Sequence, residues 1–205
     1  MQLVIATTSA HKKAEIADLL RDVHGLEVLS LADFPRVEEP EENGASMREN
    51  ALIKAEFYAR HTQTLTLADD SGIEVDFLHG ASGIHSARWH PGSDADRTQA
   101  LLLDLSGVLD EQRGARYRCA LCFFDPADAS TCIELEATCE GRIAHEPQGE
   151  NGFGYDPIFE ITQATGADSR YLGHTMAQVP AEVKAQVSHR ARAVRKLAET
   201  LRSQG

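Results

Sequence analysis

The chain is short of positive charge. Its 205 residues hold 20 Lys and Arg against 32 Asp and Glu, a net charge of −12 with histidine neutral. Sequence-independent binding to DNA or RNA needs a basic footprint, so nucleic acid is not expected as a partner. Small phosphorylated ligands stay open, because a local cation or a bound metal outweighs the global sign. Long apolar runs are missing too. The early segment Leu3-Val4-Ile5-Ala6 is soon followed by His11-Lys12-Lys13. It is too short for a signal-peptide core or a membrane span. The expectation is a cytoplasmic protein with no membrane association.

Cysteines are few: Cys119, Cys122, Cys132 and Cys139. Cys119-x-x-Cys122 invites a zinc reading, but residues 117–124 have a strand pattern. Residues three apart on a strand point to opposite faces, so both thiols cannot grip one tetrahedral ion. Small buried core residues are the better reading. A secreted disulfide scaffold is not expected at this size without a signal. The chain also lacks internal repeats, low-complexity segments and an obvious linker. With 42% hydrophobic and 25% charged residues, it is read as one mixed α/β domain over residues 1–205, with room for a cleft.

Periodicity and punctuation give the elements. Residues 2–7 form a strand pattern. Ser9 is a candidate N-cap for a helix carrying Ile16, Leu19, Leu20 and Val23, closed by Gly25. A strand fits residues 26–29, followed by an acidic loop over 34–44. A helix is expected over 46–60, with Met47, Ala51, Ala55 and Tyr58 buried. Ser93 caps a helix through residue 105. Long strands are expected at 115–124 and 132–140, with a further short strand near 141–144. Pro180 starts a short helix. Ser188 caps the last one, where Val194, Leu197, Ala198 and Leu201 share a face.

Between two apolar segments lies Leu67-Ala68-Asp69-Asp70-Ser71-Gly72. It is expected as a tight turn joining strands at 65–68 and 73–76. Carboxylates at the end of a buried strand are costly unless paired, hydrogen-bonded or metal-bound. Strand ends in α/β proteins are also where ligands collect. A turn whose Asp and Ser bond their own backbone accounts for the same residues.

Four segments could carry chemistry. Thr7-Thr8-Ser9-Ala10-His11-Lys12 joins a strand end to a helix start, where free N–H groups suit a phosphate. Lys12 and Lys13 oppose the helix dipole there, which a bound anion would explain; solvated surface charges are the plain alternative. The loop lacks the glycines of a Walker A motif. In the acidic loop, Glu38-Glu39-Pro40-Glu41-Glu42-Asn43-Gly44 is either a solvated charge run or the source of a Glu that joins Asp70 around Mg²⁺. Magnesium asks for only one or two carboxylates beside waters and substrate phosphates. In Gly149-Glu150-Asn151-Gly152-Phe153-Gly154-Tyr155-Asp156-Pro157, an exposed aromatic could stack on a base, or the rings could fold into the core. In Lys184-x-x-x-Ser188-His189-Arg190, His and Arg can donate to ring carbonyls, or simply flank a helix cap.

In this order the segments resemble one family, the inosine triphosphate pyrophosphatases. The matching blocks are Ala6-Thr7…Lys12-x-x-Glu15, Glu41-Glu42-Asn43-Gly44…Glu49-Asn50-Ala51…Lys54-Ala55 and Ala68-Asp69-Asp70-Ser71-Gly72. They continue with Gly80-Ala81-Ser82-Gly83-Ile84-His85-Ser86-Ala87-Arg88-Trp89, Gly152-Phe153-Gly154-Tyr155-Asp156-Pro157-Ile158-Phe159 and Lys184…Ser188-His189-Arg190. The resemblance runs nearly end to end. It implies an elongated α/β fold with two lobes around a central nucleotide-binding cleft, a homodimer and Mg²⁺ dependence. It also implies hydrolysis of ITP, dITP and XTP to the monophosphate and pyrophosphate. Carried onto this chain, it makes Asp70 the general base and a metal ligand, with Glu42 or Glu41 completing the metal site. Thr7, Thr8, Ser9 and Lys12 would hold the triphosphate, and Ala10, His11, Ser71, Gly154 and Tyr155 would be further substrate contacts. Phe153 would stack on the base, and Asp156, His189 and Arg190 would read its edge. Lys184 would touch base or phosphate, and Asp69 would be a structural partner.

Two positions depart from the family pattern: Ser9 stands where Asn is usual, and Ser82 where Pro is usual. A hydroxyl caps a helix but lacks the two amide donors. Ser9 thus supports a different reading, a nucleotide-binding regulatory protein without catalysis. Pyrophosphatases for other modified nucleotides and a generic Mg²⁺ phosphatase are further alternatives.

Overall fold

The structure is a computed structural model and describes residues 1–128, 131–164 and 166–203. Its six strands form one mixed sheet, in the order β2-β1-β3-β4-β5-β6. The strands are β1 Gln2–Ile5, β2 Glu27–Ser30, β3 Leu65–Val75, β4 Gly114–Phe124, β5 Cys132–Ile143 and β6 Phe159–Ile161. The helices are α1 Ala10–Leu20, α2 Met47–Thr62, α3 Asp94–Asp104, α4 Ala181–Val187 and α5 His189–Ser203. Two compact units share these elements.

The first unit takes Met1–Asp70, Cys119–Ala137 and Arg190–Gly205. β1 pairs in parallel with β2 and with β3, setting Leu3 opposite Leu65. Leu3, Ile5, Leu67, Cys119, Leu121 and Phe123 pack with Ile16 and Leu20 of α1 and Val194 and Leu197 of α5. Val4, Thr66 and Ala68 alternate to the opposite face and are equally buried. A strand covered on both faces has no polar side, which is why β1 is a continuous apolar run. Ser9 caps α1, its hydroxyl oxygen accepting the Lys12 N–H at 3.4 Å. Ser46 caps α2 by accepting from the Glu49 N–H at 3.2 Å. Met47, Ala51, Ala55 and Tyr58 are all buried along α2.

The second unit takes Ser71–Arg118 and Thr138–His189. β5 and β6 pair antiparallel here, with Arg142 opposite Glu160. The core gathers Ile73, Val75, Leu101, Leu105, Tyr117, Phe159 and Val183. A capping box between Ser93 and Asp96 starts α3. Pro180 starts α4.

Beyond shifts of one or two residues at other ends, three features differ from the sequence expectation. No turn interrupts residues 69–72: β3 is one strand from Leu65 to Val75. No separate strand lies at 141–144, because β5 runs on to Ile143. α1 ends at Leu20, leaving Val23 and Gly25 in the turn that follows. Cys119 and Cys122 are buried free thiols, as expected of core residues, and Cys122 Sγ lies 3.4 Å from Cys132 Sγ. No helix among the described residues is long and apolar enough to cross a membrane.

Candidate functional site

The double Asp works as two centres because it lies within a strand. Adjacent residues on β3 face opposite sides. Asp69 shares the parity of Leu67 and meets the α1 and α5 side. Its Oδ2 lies 3.1 Å from Lys12 Nζ and accepts from Arg190 Nη2 at 3.3 Å. Arg190 also donates to Glu15 of α1. Burial alone would raise the Asp69 pKa. The charges of Lys12, Arg190 and Lys54 overcome it and hold the carboxyl well below the usual range.

Asp70 shares the parity of Ala68 and meets α2. Its Oδ1 lies 3.3 Å from Lys54 Nζ, and its Oδ2 accepts from Asn50 Nδ2 at 3.3 Å. The same Lys54 Nζ lies 3.3 Å from Glu42 Oε2. One cation thus sits between two carboxylates. Burial pushes the Asp70 carboxyl above its ordinary pKa, against the opposing pull of Lys54 and Lys12. Lys54 stays firmly charged: burial lowers its pKa, but Asp70, Asp69 and Glu42 raise it more.

The donor set suits magnesium better than zinc. Glu42 and Asp70 already converge on a single positive charge, and Mg²⁺ needs no more than one or two carboxylates. No cluster of three or more His, Cys, Asp or Glu that could hold a metal occurs among the described residues. Of the two glutamates left open by the sequence, Glu42 reaches Lys54, while Glu41 is exposed.

In the turn expected to meet phosphate, Thr7 Oγ1 accepts the Ser9 N–H at 3.2 Å and shapes the chain before α1. Thr8, Ala10 and His11 are exposed, and Thr7 and Ser9 are half-buried. Lys12 has a structural reason to sit at the start of α1, since it faces Asp69. Ser71 is half-buried on β3 in the second unit.

The second unit assembles its own constellation around Asp156. The Asp156 Oδ2 accepts from Lys184 Nζ at 2.7 Å and from the Phe153 N–H at 2.9 Å. Its Oδ1 accepts from the Tyr117 hydroxyl at 3.3 Å. Lys184 Nζ also lies 4.5 Å from the Phe153 ring centroid, a cation–π contact. The His189 ring stacks on Tyr117 at 4.6 Å. The loop aromatics divide: Phe153 is half-exposed, whereas Tyr155 is buried and donates to the Ser86 carbonyl at 3.0 Å. Gly154 N–H donates to Asp94 Oδ2 at 2.7 Å. Ser82, at the usual proline position, is buried and hydrogen-bonded to Ser86 at 3.0 Å.

Gly152 holds φ +79°, and a Cβ there would lie 2.1 Å from Asp156 Oδ2. Gly154 holds φ +62° with open space around it. Gly152→Ala is therefore expected to lose about 1–3 kcal/mol, more than Gly154→Ala, which bears backbone strain alone. Urea denaturation of both variants measures this; equal losses would contradict the account.

Sequence reading passed over Lys54 and Asn50 as site residues, and a signal for them existed. Met47, Asn50, Ala51, Lys54, Ala55 and Tyr58 follow the spacing of one buried helical stripe. Polar side chains inside such a stripe need buried partners, and Asp70 supplies them. Tyr117, Glu15 and Asp94 carried no comparable signal. Arg190 was expected at a base edge; here its guanidinium is enclosed by Asp69 and Glu15 and is only 2% exposed.

A family model described as the Ham1 family matches residues 3–200. The dITP/XTP pyrophosphatase of Geobacillus kaustophilus is 44% identical over 200 residues, covering 97% of this chain and 93% of the relative. The dITP/XTP pyrophosphatase of Vibrio cholerae is 41% identical over 205 residues, covering 99% and 98%. Among solved structures, a HAM1 protein from Coxiella burnetii matches with a TM-score of 0.85 at 34% identity, covering 99% of each chain. Similarity of this extent, in sequence and in fold, settles membership: the chain belongs to the Ham1 family.

Proposed function

We propose that the protein hydrolyses non-canonical purine nucleoside triphosphates, namely ITP, dITP and XTP, to the monophosphate and pyrophosphate. We place it in the cytoplasm as an Mg²⁺-dependent homodimer. The observation that carries this reading is the convergence of Glu42 and Asp70 on one cation, each 3.3 Å from Lys54 Nζ. The names of the curated relatives point the same way.

Breaking the α–β anhydride asks for charge neutralisation and an aligned water more than for covalent chemistry. Glu42 and Asp70 would hold Mg²⁺, which when bound neutralises phosphate charge and makes water more acidic. Asp70 accepts the proton of the attacking water, a task its raised pKa suits. Lys54 positions both carboxylates and supplies positive charge. The turn from Thr7 to Lys12 takes triphosphate oxygens at the start of α1. Asp69 and Arg190 hold Lys12 and β3 in place.

The Phe153 ring stacks on the base, while Lys184 and His189 offer donors. Hypoxanthine and xanthine carry a carbonyl at C6 where adenine carries an amino group. Donors facing that position favour the carbonyl and leave an adenine complex with a donor unpaired, which is costly when buried; guanine shares the carbonyl, so its rejection falls to the other edge of the ring.

The test is incubation with ITP, dITP, XTP, ATP, GTP and dTTP in Mg²⁺, with products identified. Pyrophosphate from ITP, dITP or XTP, and little from ATP or GTP, is the expected result. Binding without turnover would instead support a regulatory protein, and orthophosphate release a phosphatase. A pH dependence also follows. The base must be ionised, so kcat/KM should fall as pH drops through the raised Asp70 pKa. Lys54→Met removes a charge that holds that pKa down, so the acidic limb should move to higher pH. An unmoved limb in the pH–rate profile would contradict the pairing.

A further inference from the structure

The loop that bears Phe153 is fastened at two successive peptide groups. The Phe153 N–H donates to Asp156 Oδ2 at 2.9 Å. The Gly154 N–H donates to Asp94 Oδ2 at 2.7 Å, and the Gly154 carbonyl accepts from Thr98 Oγ1 at 3.3 Å. Asp156 belongs to the same motif as Phe153. Asp94 and Thr98 do not: they lie one turn apart on one side of α3, which carries no residue expected to meet substrate. All of these residues belong to the second unit.

Packing does not fix Gly154. It holds φ +62°, and a Cβ there would meet nothing within 4 Å. Hydrogen bonds to α3 set its backbone instead. A peptide group is planar, so holding the Phe153 N–H fixes the plane that enters residue 153. Holding the Gly154 N–H fixes the plane that leaves it. Together the two planes set φ and ψ of Phe153, and those angles select its side-chain rotamers. Asp94 thus acts on the direction of the ring, while Lys184 Nζ, 4.5 Å from the ring centroid, steadies one face.

Asp94 is itself preset. Its Oδ1 accepts from Arg97, and Arg97 Nη1 donates to the Gly92 carbonyl at 2.7 Å. Oδ2 is left to face Gly154. An acid in the first turn of a helix also favours the helix dipole, but Asp96 already serves that end through its capping box with Ser93.

We propose that Asp94 is a positioning residue for base recognition: through Gly154 it fixes the peptide plane leaving Phe153 and so orients the ring that stacks on the purine. The proposal rests on the stacking role given to Phe153 above. A ring oriented in advance loses less freedom when the base arrives, so Asp94 raises affinity without touching the ligand.

The experiment is calorimetric titration of inosine monophosphate into the wild-type protein and variants at positions 94 and 153. Asp94→Ala should weaken binding about five- to tenfold, the worth of a hydrogen bond to a charged group. Asp94→Asn keeps an acceptor in place and should recover most of that loss. Phe153→Leu removes the ring, and adding Asp94→Ala to it should weaken binding by less than about twofold more, since the two residues act as one. A first-turn acid with no further role predicts otherwise: Asn and Ala lower the thermal midpoint alike, and neither changes affinity. Asp94 is exposed, so its variants should fold, and circular dichroism checks that they do. Three results would each overturn the proposal: Asp94→Ala binding within twofold of wild type, an undiminished Asp94→Ala effect in the Phe153→Leu background, or a wild type that ignores inosine monophosphate. ITP turnover by the wild type, measured separately, decides the pyrophosphatase reading, because no bond is cleaved in these titrations.

Discussion

Asp70→Asn should lower kcat about 10²–10⁴-fold while leaving the fold intact, the range expected for loss of a general base. The substitution keeps the shape of the side chain and removes its charge. That removes both the proposed proton acceptor and one of two carboxylates facing Lys54. The fold should survive because burial already disfavours the ionised form: the folded-state pKa of Asp70 is raised. A neutral isostere answers that preference, so the thermal midpoint should hold or rise. A site that costs stability and gains when neutralised is the usual pattern where function sets the residue. A variant with wild-type kcat would remove Asp70 from the chemistry.

Asp69→Asn should behave in the opposite way. It removes the carboxylate shared by Lys12 and Arg190, of which Arg190 is 2% exposed and Asp69 equally so. Breaking a buried pair from one side costs about 3–5 kcal/mol. At about 2–4 °C per kcal/mol for a chain of this size, the midpoint should fall by roughly 6–20 °C. Replacing Arg190 as well, with Met, should recover part of the loss. The pH dependence has a definite sign. The folded pKa of Asp69 is held below its ordinary value of 3.8. Its stabilisation is therefore complete above that value and fades as pH falls through the lower folded one. The gap between wild type and Asp69→Asn should close in acid. A gap that persists there would show that something other than the charge is at work.

These two neighbours also mark where the sequence could be read and where it could not. The starts of α1 and α3 were legible because Ser9 and Ser93 each cap by the local rule. The α2 stripe was legible from its spacing. Asp69-Asp70-Ser71-Gly72 was not, since all four are turn formers when judged by neighbours along the chain. Partners distant in sequence reverse that preference. Lys12 and Arg190 satisfy Asp69, Lys54 and Asn50 satisfy Asp70, and Ser86 Oγ accepts the Ile73 N–H at 2.8 Å. No local rule sees residues 190 and 12 meeting at 69.

The candidate site follows the same division. Its membership came from short motifs, whose residue types are local. Its wiring did not. That Glu42 rather than Glu41 reaches Lys54, that Tyr155 turns inward while Phe153 stays half-exposed, and that Arg190 serves two carboxylates are all tertiary facts. Asn50 and Lys54 lie between these cases, since their spacing was visible and their partner was not.

The central claim is that this chain splits the bond between the α- and β-phosphates. ³¹P NMR of ITP with the wild-type protein and Mg²⁺ tests it most directly, with Asp70→Asn run alongside. Inosine monophosphate and pyrophosphate should grow in equal amounts with no orthophosphate, and both should be nearly absent with Asp70→Asn. Inosine diphosphate with orthophosphate, or equal product from the variant, would contradict the account.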